Sequence, residues 1–421
     1  MNSYVFSLLF IAFLLLTLAV RFWLSSRNIR HILAHRQDVP AQFSEKIALS
    51  AHQKAADYTV AKTRLGMVML VVNTAVLLGF TLFGGLQWLS VTVLDLTGPG
   101  MTYQIALLAA FAVISGLIDL PFNYYSQFRL EEKFGFNKMT PALFFSDLVK
   151  GVLLGAAIGL PLAWVILALM DKAGDLWWLY AWLVWSGFQL LMLVLYPTVI
   201  APLFNKFTPL QDDSLRARIE NLMHRVGFAS KGLFVMDGSK RSAHGNAYFS
   251  GFGTAKRIVF FDTLLARLAP QEVEAVLAHE LGHFKMKHIV KRIVVMFALS
   301  LGFLALLGYL KTQTWFYTGL GVDPMLGASN DAMALILFAL VLPVFTFLFS
   351  PLTSISSRKH EFEADAFAAK HTHAPDLVSA LVKLYEDNAS TLTPDPLHSA
   401  FYDSHPPAAL RIERLLGSQT T

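Results

Sequence analysis

The 421 residues contain no cysteine. Disulfides and thiolate chemistry are therefore excluded, and any bound metal must be held by His, Asp or Glu. Charge is scarce as well: Asp, Glu, Lys and Arg make up 15% of the chain, against 55% apolar residues. A soluble chain carries about 25% charge, so the deficit marks a membrane protein. There is no single basic face either. The formal charge of +5 comes from Lys and Arg clusters lying between apolar runs, which excludes nucleic acid as a partner. No Lys or Arg precedes the first apolar run, residues 4–24, whereas Arg27, Arg30, Arg36, Lys46, Lys54 and Lys62 follow it. A cleaved signal peptide has the opposite charge order, so the run reads as an uncleaved first membrane helix with its N-terminus outside.

Six more apolar runs are long enough to span a bilayer: 65–89, 103–122, 143–170, 177–201, 289–310 and 333–351. The loop at 90–102 has no Lys or Arg and the loop before 333 has only Lys311, whereas Arg129, Lys133 and Lys138 follow the third run. Seven spans with the N-terminus outside and the C-terminus inside put every Lys/Arg-rich loop in the cytoplasm. The expected parts are a five-helix membrane region at 1–203, with a polar cytoplasmic loop at 25–63, and a cytosolic catalytic lobe at 204–288. Spans six and seven lie within 289–355, and a C-terminal cytosolic lobe occupies 356–421. The membrane itself is inner membrane in a bacterium, or of endoplasmic-reticulum type in a eukaryote. Gly151, Gly155 and Gly159 recur at helical spacing and suggest close helix packing. Asp119, Asp147 and Lys150 lie in or beside spans, where Asp147 and Lys150 either pair with each other or face water inside the bundle.

Between the fifth and sixth spans stands His279-Glu280-Leu281-Gly282-His283, an HExxH sequence. Pro270 suits a first helical turn, and Val273, Val276, Leu277, Leu281 and Phe284 recur at helical period. On a helix, His279 and His283 project from one face and can bind one Zn²⁺. Glu280, roughly 100° further round, is free to act as general base on a water. Chance supplies such a match in about one of a hundred chains of this composition.

Two histidines leave a zinc site incomplete. The strongest source of a third ligand is Glu361-Phe362-Glu363-Ala364-Asp365, just after the seventh span. Glu361 and Asp365 share a helix face, with Glu361 reading as a metal ligand or as part of a solvated acidic helix start. Asp365 is placed to accept the remaining N–H of a metal-bound His. His288, His360, His371 and His373 read as structural or solvated.

HELGH followed by EFxAD resembles the M48 metallopeptidases, and within them the CAAX prenyl protease 1 (type I CAAX endoprotease) family. Segments similar to that family span nearly the whole chain: 57–62 (DYTVAK), 134–140 (FGFNKMT), 196–205 (YPTVIAPLFN) and 404–407 (SHPP). The resemblance implies a polytopic α-helical membrane protein, its seven helices forming a barrel around a water-filled chamber, with a small α+β zincin-like catalytic region facing that chamber. It implies one Zn²⁺ per chain held by His279, His283 and Glu361, with Glu280 as catalytic base. It also raises His405 to an oxyanion donor. Asn246-Ala247-Tyr248-Phe249 and 257–262 read as paired strands joined by the turn-like 250–254. The first resembles the Asn-Ala edge strand that thermolysin-type zinc proteases present to an extended substrate, giving Asn246 and Ala247 a substrate-binding role.

Three other readings are weaker. A transporter gives no reason for HExxH and ExxxD to share one membrane face. An intramembrane site-2-type protease places its motif inside an apolar span. A metal-binding pseudoenzyme has no use for Glu280. The expected partners are the lipid bilayer and a peptide or protein substrate, either prenylated or simply membrane-proximal.

Overall fold

The computed structural model describes residues 1–230, 232–250, 257–325 and 329–417. Among the described residues, seven helices are long and apolar enough to cross a membrane: Ser3–Ala34, Leu49–Phe80, Met101–Glu131, Pro141–Lys172, Gly174–Phe204, His288–Leu310 and Asp331–His371. The number expected from sequence is met, but several boundaries differ. The stretch 25–63, expected as a polar loop, is largely helical, because the first two spans run on past their apolar segments to Ala34 and back from Leu49. The second span ends at Phe80, not at residue 89. Gly84 adopts φ 79°, and a separate helix, Gly85–Thr97, starts there. Hydropathy continues across this break and so hides it. Helix irregularities follow prolines: a wide turn at Tyr196–Ile200 contains Pro197, and the tight turn Phe347–Phe349 follows Pro343.

The two ends of the helices are built differently from their middles. At one end Phe6, Phe10, Leu86, Tyr103, Leu107, Trp177, Phe316 and Leu337 share one core. Ser3 and Ser7 bond Thr318 and Gly319, and Gln104 donates to the Ser329 carbonyl at 2.5 Å, closing that end. At the other end a second core joins Phe43, Ile219, Phe260, Leu277, Leu381 and Ile412 into an extramembrane lobe. Between the two, burial is sparse: in Pro141–Lys172 only Leu167 and Met170 are buried, and in Met101–Tyr125 only Tyr103, Gln104 and Leu107. Helices packed in a solid bundle bury a continuous stripe. Exposure on both faces fits a wall one helix thick around open space, the barrel that the family resemblance implies.

The glycine stripe is therefore corrected. A Cβ on Gly151, Gly155 or Gly159 would meet nothing within 4 Å, so these residues bring no helix close. Small residues at four-residue spacing look the same on an open wall as in a tight crossing. The bland reading of Asp147 is also incomplete. Its Lys150 contact is long, at 3.9 Å, and its main partner is Arg241, whose Nε and Nη2 donate at 2.9 and 3.2 Å. That pair fastens the fourth span to the lobe.

The lobe holds a four-stranded sheet in the order β1-β2-β4-β3, made of β1 (Phe207–Pro209), β2 (Leu233–Met236), β3 (Ala247–Ser250) and β4 (Arg257–Phe261). β3 pairs antiparallel with β4, Ala247 opposite Phe260, as expected, and forms an edge of the sheet. β1 and β2 had no sequence signal strong enough to register. Residues 251–254 of the expected turn lie outside the described residues.

Candidate active site

The HExxH segment lies on helix Pro270–Lys285. Pro270 opens it, and the Glu272 carboxylate folds back to accept the Ala269 N–H at 2.7 Å, capping one otherwise unpaired donor. Ten of its residues are buried, Val273, Leu277, Ala278 and Leu281 among them, so the helix crosses the lobe as its central beam. Against it packs Ser350–His371, the continuation of the seventh span beyond its apolar part. Gly282 decides how close the two come. A Cβ there would stand 2.9 Å from the Ala364 Cα and 3.1 Å from the Phe367 Cβ, so no larger residue fits without parting the helices. This close crossing delivers Glu361 and Asp365 to the histidines.

His279 Nε2 and His283 Nε2 are 3.2 Å apart, and Glu361 oxygens lie 3.5 and 3.2 Å from them respectively. Two ligands at about 2.1 Å from one metal, across a tetrahedral angle, stand about 3.4 Å apart. The two Nε2 atoms thus stand from each other, and each from one Glu361 oxygen (His279 from Oε2, His283 from Oε1), at the spacing of ligands around an ion. The buried Glu361 Oε2 has no hydrogen-bond partner among the described residues, which fits a lone pair kept for a cation. The residues present fit a divalent metal of the zinc type.

His279 turns its other nitrogen, Nδ1, toward Asp365 Oδ1 at 2.8 Å. Asp365 accepts in turn from Arg411, at 2.9 Å from Nε and 2.6 Å from Nη2. The sequence reading missed Arg411. Its only signal was an arginine on the apolar face of the short helix Ala408–Gly417, among Ala408, Ile412 and Leu415. His283 Nδ1 meets His288 Nδ1 at 3.0 Å, and His288 Nε2 meets Glu363 Oε2 at 2.8 Å. His288 and Glu363 are therefore neither free nor merely solvated. His371 and His373 stand away from this cluster, His373 against Asp376.

Glu280, His279 and Glu361 line a cavity of about 810 Å³, together with Asn246, Ala247 and His405. Burial pushes the Glu280 carboxyl pKa upward, while nearby His279 and His283 pull it back. His405 Nε2 stands 3.5 Å from Glu361 Oε1, and its Nδ1 is 3.0 Å from Ser404 Oγ. Asn246 precedes the edge strand and is exposed to the cavity; its Oδ1 accepts the Ala247 N–H at 2.8 Å. Every sequence-predicted site residue except Asp365 thus lines the cavity or supplies an atom to the three-ligand cluster, and Asp365 stands directly behind His279.

The family-like segments of the membrane region converge beside this cavity. Tyr58 donates to Glu131 at 2.6 Å, Phe136 stacks on His244, and Arg241 holds Asn205 at 2.9 Å. All of them brace residues 241–245, the approach to Asn246.

Residues 28–206 match the CAAX prenyl protease N-terminal family, described as five membrane helices, and residues 209–419 match peptidase family M48. The chain belongs to family M48. CAAX prenyl protease 1 of Saccharomyces cerevisiae is 36% identical over 401 residues, covering 90% of this chain and 88% of the relative. The CAAX prenyl protease 1 homologue of Arabidopsis thaliana is 38% identical, covering 88% of each. The crystal structure of S. mikatae Ste24p superposes with a TM-score of 0.91 at 32% identity, covering 97% of this chain and 99% of that one. Membership makes the chain a multi-pass membrane metalloendopeptidase.

Proposed function

We propose that the chain hydrolyses an extended peptide in the 810 Å³ cavity, with one Zn²⁺ held by His279, His283 and Glu361. The observation carrying this reading is the ligand spacing of 3.2–3.5 Å to Glu361, whose buried Oε2 has no hydrogen-bond partner among the described residues and stands 3.6 Å from Arg411 Nη1. When bound, the zinc polarises the scissile carbonyl and acidifies water. Glu280 takes a proton from that water and returns it to the departing amine. His405 donates to the oxygen on which negative charge develops. Strand β3 offers its free edge to the peptide backbone, with the Asn246 side chain adding one contact. Asp365 holds His279 in the tautomer that leaves Nε2 unprotonated.

The relatives' printed name, CAAX prenyl protease 1, makes prenylated CAAX peptides the first substrate class. A second reading is turnover of membrane-proximal peptides without a lipid. The cavity favours neither, since Tyr58, Thr59, Lys62 and Thr63 of the second span line it along with residues of the lobe. The active site faces the cytoplasm on this reading, because the lobe sits at the end of the barrel rich in Lys and Arg, whereas at the far end Lys311 is neutralised by Asp331 at 2.8 Å.

The test is zinc content and hydrolysis in Glu361→Ala, with farnesylated and unmodified peptides compared in the parent. Loss of most zinc and of both activities supports the site, and the preferred peptide assigns the class. Full zinc and full turnover in the variant would refute the ligand set.

A further inference from the structure

The two zinc-facing histidines differ in how they are backed. His279 leans on a carboxylate, Asp365, at 2.8 Å, whereas His283 leans on another imidazole. His288 stands there because Lys287, at φ 57°, turns the chain left-handed after the HExxH helix and sends the next residue back alongside it. His288 is buried, and the His360 ring lies on it at 4.0 Å and 14°.

The protons of this chain can be placed by counting. The Glu363 carboxylate only accepts, so His288 Nε2, 2.8 Å away, carries a proton and donates. A neutral His288 then has a bare lone pair at Nδ1. His283 Nδ1, 3.0 Å from it, must therefore be the donor. That leaves His283 Nε2 unprotonated, and Nε2 is the atom facing His279 and Glu361 at 3.2 Å. We propose that His288 and Glu363 are positioning residues: through two successive hydrogen bonds they hold His283 in its metal-binding tautomer and orientation, as Asp365 does for His279. The inference rests on the zinc reading above and extends it to His288, beyond HExxH, and to Glu363, a position within ExxxD that the motif leaves unspecified.

A competing use exists for the same side chains. His288, His360 and Glu363 offer three ligand atoms within 4.8 Å of one another, enough to chelate a second cation. The stacked rings argue against it, because parallel imidazoles aim their lone pairs side by side and not at one point. A metal on His288 Nε2 would also move the His288 proton to Nδ1, against His283.

The test compares purified zinc-loaded parent with His288→Phe, His288→Gln and Glu363→Ala, following zinc release to a chelator and the difference in Tm between loaded and stripped protein. Phe keeps the ring but removes the acceptor, and should weaken zinc retention about 10- to 100-fold. Gln restores an oxygen that accepts the His283 N–H and should recover most of that loss. Glu363→Ala, at a half-exposed position, reports even where a buried variant fails to fold, and should also release zinc faster. A structural role alone would lower the Tm of loaded and stripped protein equally and would overturn the proposal. So would zinc retention by His288→Phe equal to the parent's, or a second zinc equivalent lost on His360→Ala. A parent that binds no zinc refutes the metal centre itself, whereas zinc in the parent with unaffected variants refutes only the relay.

Discussion

Arg411 and Asp365 form a two-pronged pair, at 2.6 and 2.9 Å, with both side chains about 95% buried. It joins the C-terminal helix to the extension of the seventh span directly behind His279. Removing one partner leaves an uncompensated buried charge, which costs about 3–5 kcal/mol. Arg411→Met should therefore lower the Tm sharply, and should also loosen zinc by about 10- to 100-fold as Asp365 loses its orientation. Thermal melts with and without chelator measure both. A variant melting and binding zinc like the parent would remove Arg411 from the site.

Asn246 stands where the peptide backbone must run if β3 is the docking edge. Asn246→Ala should keep zinc content and lower kcat/KM by about 5- to 150-fold, the equivalent of about 1–3 kcal/mol for one lost polar partner. An unchanged kcat/KM in zinc-loaded protein would confine Asn246 to its bond with the Ala247 N–H.

Glu272 caps the HExxH helix and also accepts from Lys383 and Ser379 at 2.7 and 2.6 Å. Burial opposes its charge, but these donors and the Ala269 N–H outweigh it and hold its pKa below the ordinary 4.5. A lowered folded value means stabilisation that is present above pH 4.5 and lost as pH falls toward the folded value. Glu272→Gln should thus cost about 1–2 kcal/mol near neutral pH. The gap between the two melting curves should close in acid. A gap independent of pH would show the charge to be irrelevant.

How much of this was legible in the sequence depended on whether the signal was local. HExxH and ExxxD announce themselves by helical spacing, and the seven spans by length, because each is fixed within one element. Glu361 needed pairing with HExxH to stand out from an acidic helix start. The contact that joins the two helices, Gly282 against Ala364, is a packing fact between segments about 80 residues apart, and a glycine inside a helix says nothing of its neighbour. His288 was hidden for the same reason, since its role depends on a left-handed lysine and on Glu363 from another helix. Gly151, Gly155 and Gly159 misled in the opposite direction: their spacing was real, but nothing faces them.

Orientation rests on the distribution of Lys and Arg, and the absence of native cysteine makes it directly measurable. Leu96, 80% exposed at the end away from the lobe, is a better label site than Gly98, whose φ of 67° resists a side chain. Leu96→Cys should react with an impermeant thiol reagent in intact cells, and Ser239→Cys only after permeabilisation. The reverse pattern would invert the topology and put the active site outside.

The most direct measurement of the central claim is peptide hydrolysis by Glu280→Gln with its zinc content determined on the same sample. Glutamine keeps the shape of the cavity wall but cannot take up the proton from water. The account predicts about one zinc per chain, as in the parent, with turnover lowered at least about a thousandfold, the upper part of what general acid–base catalysis supplies. Normal turnover by a zinc-loaded Glu280→Gln protein would contradict it.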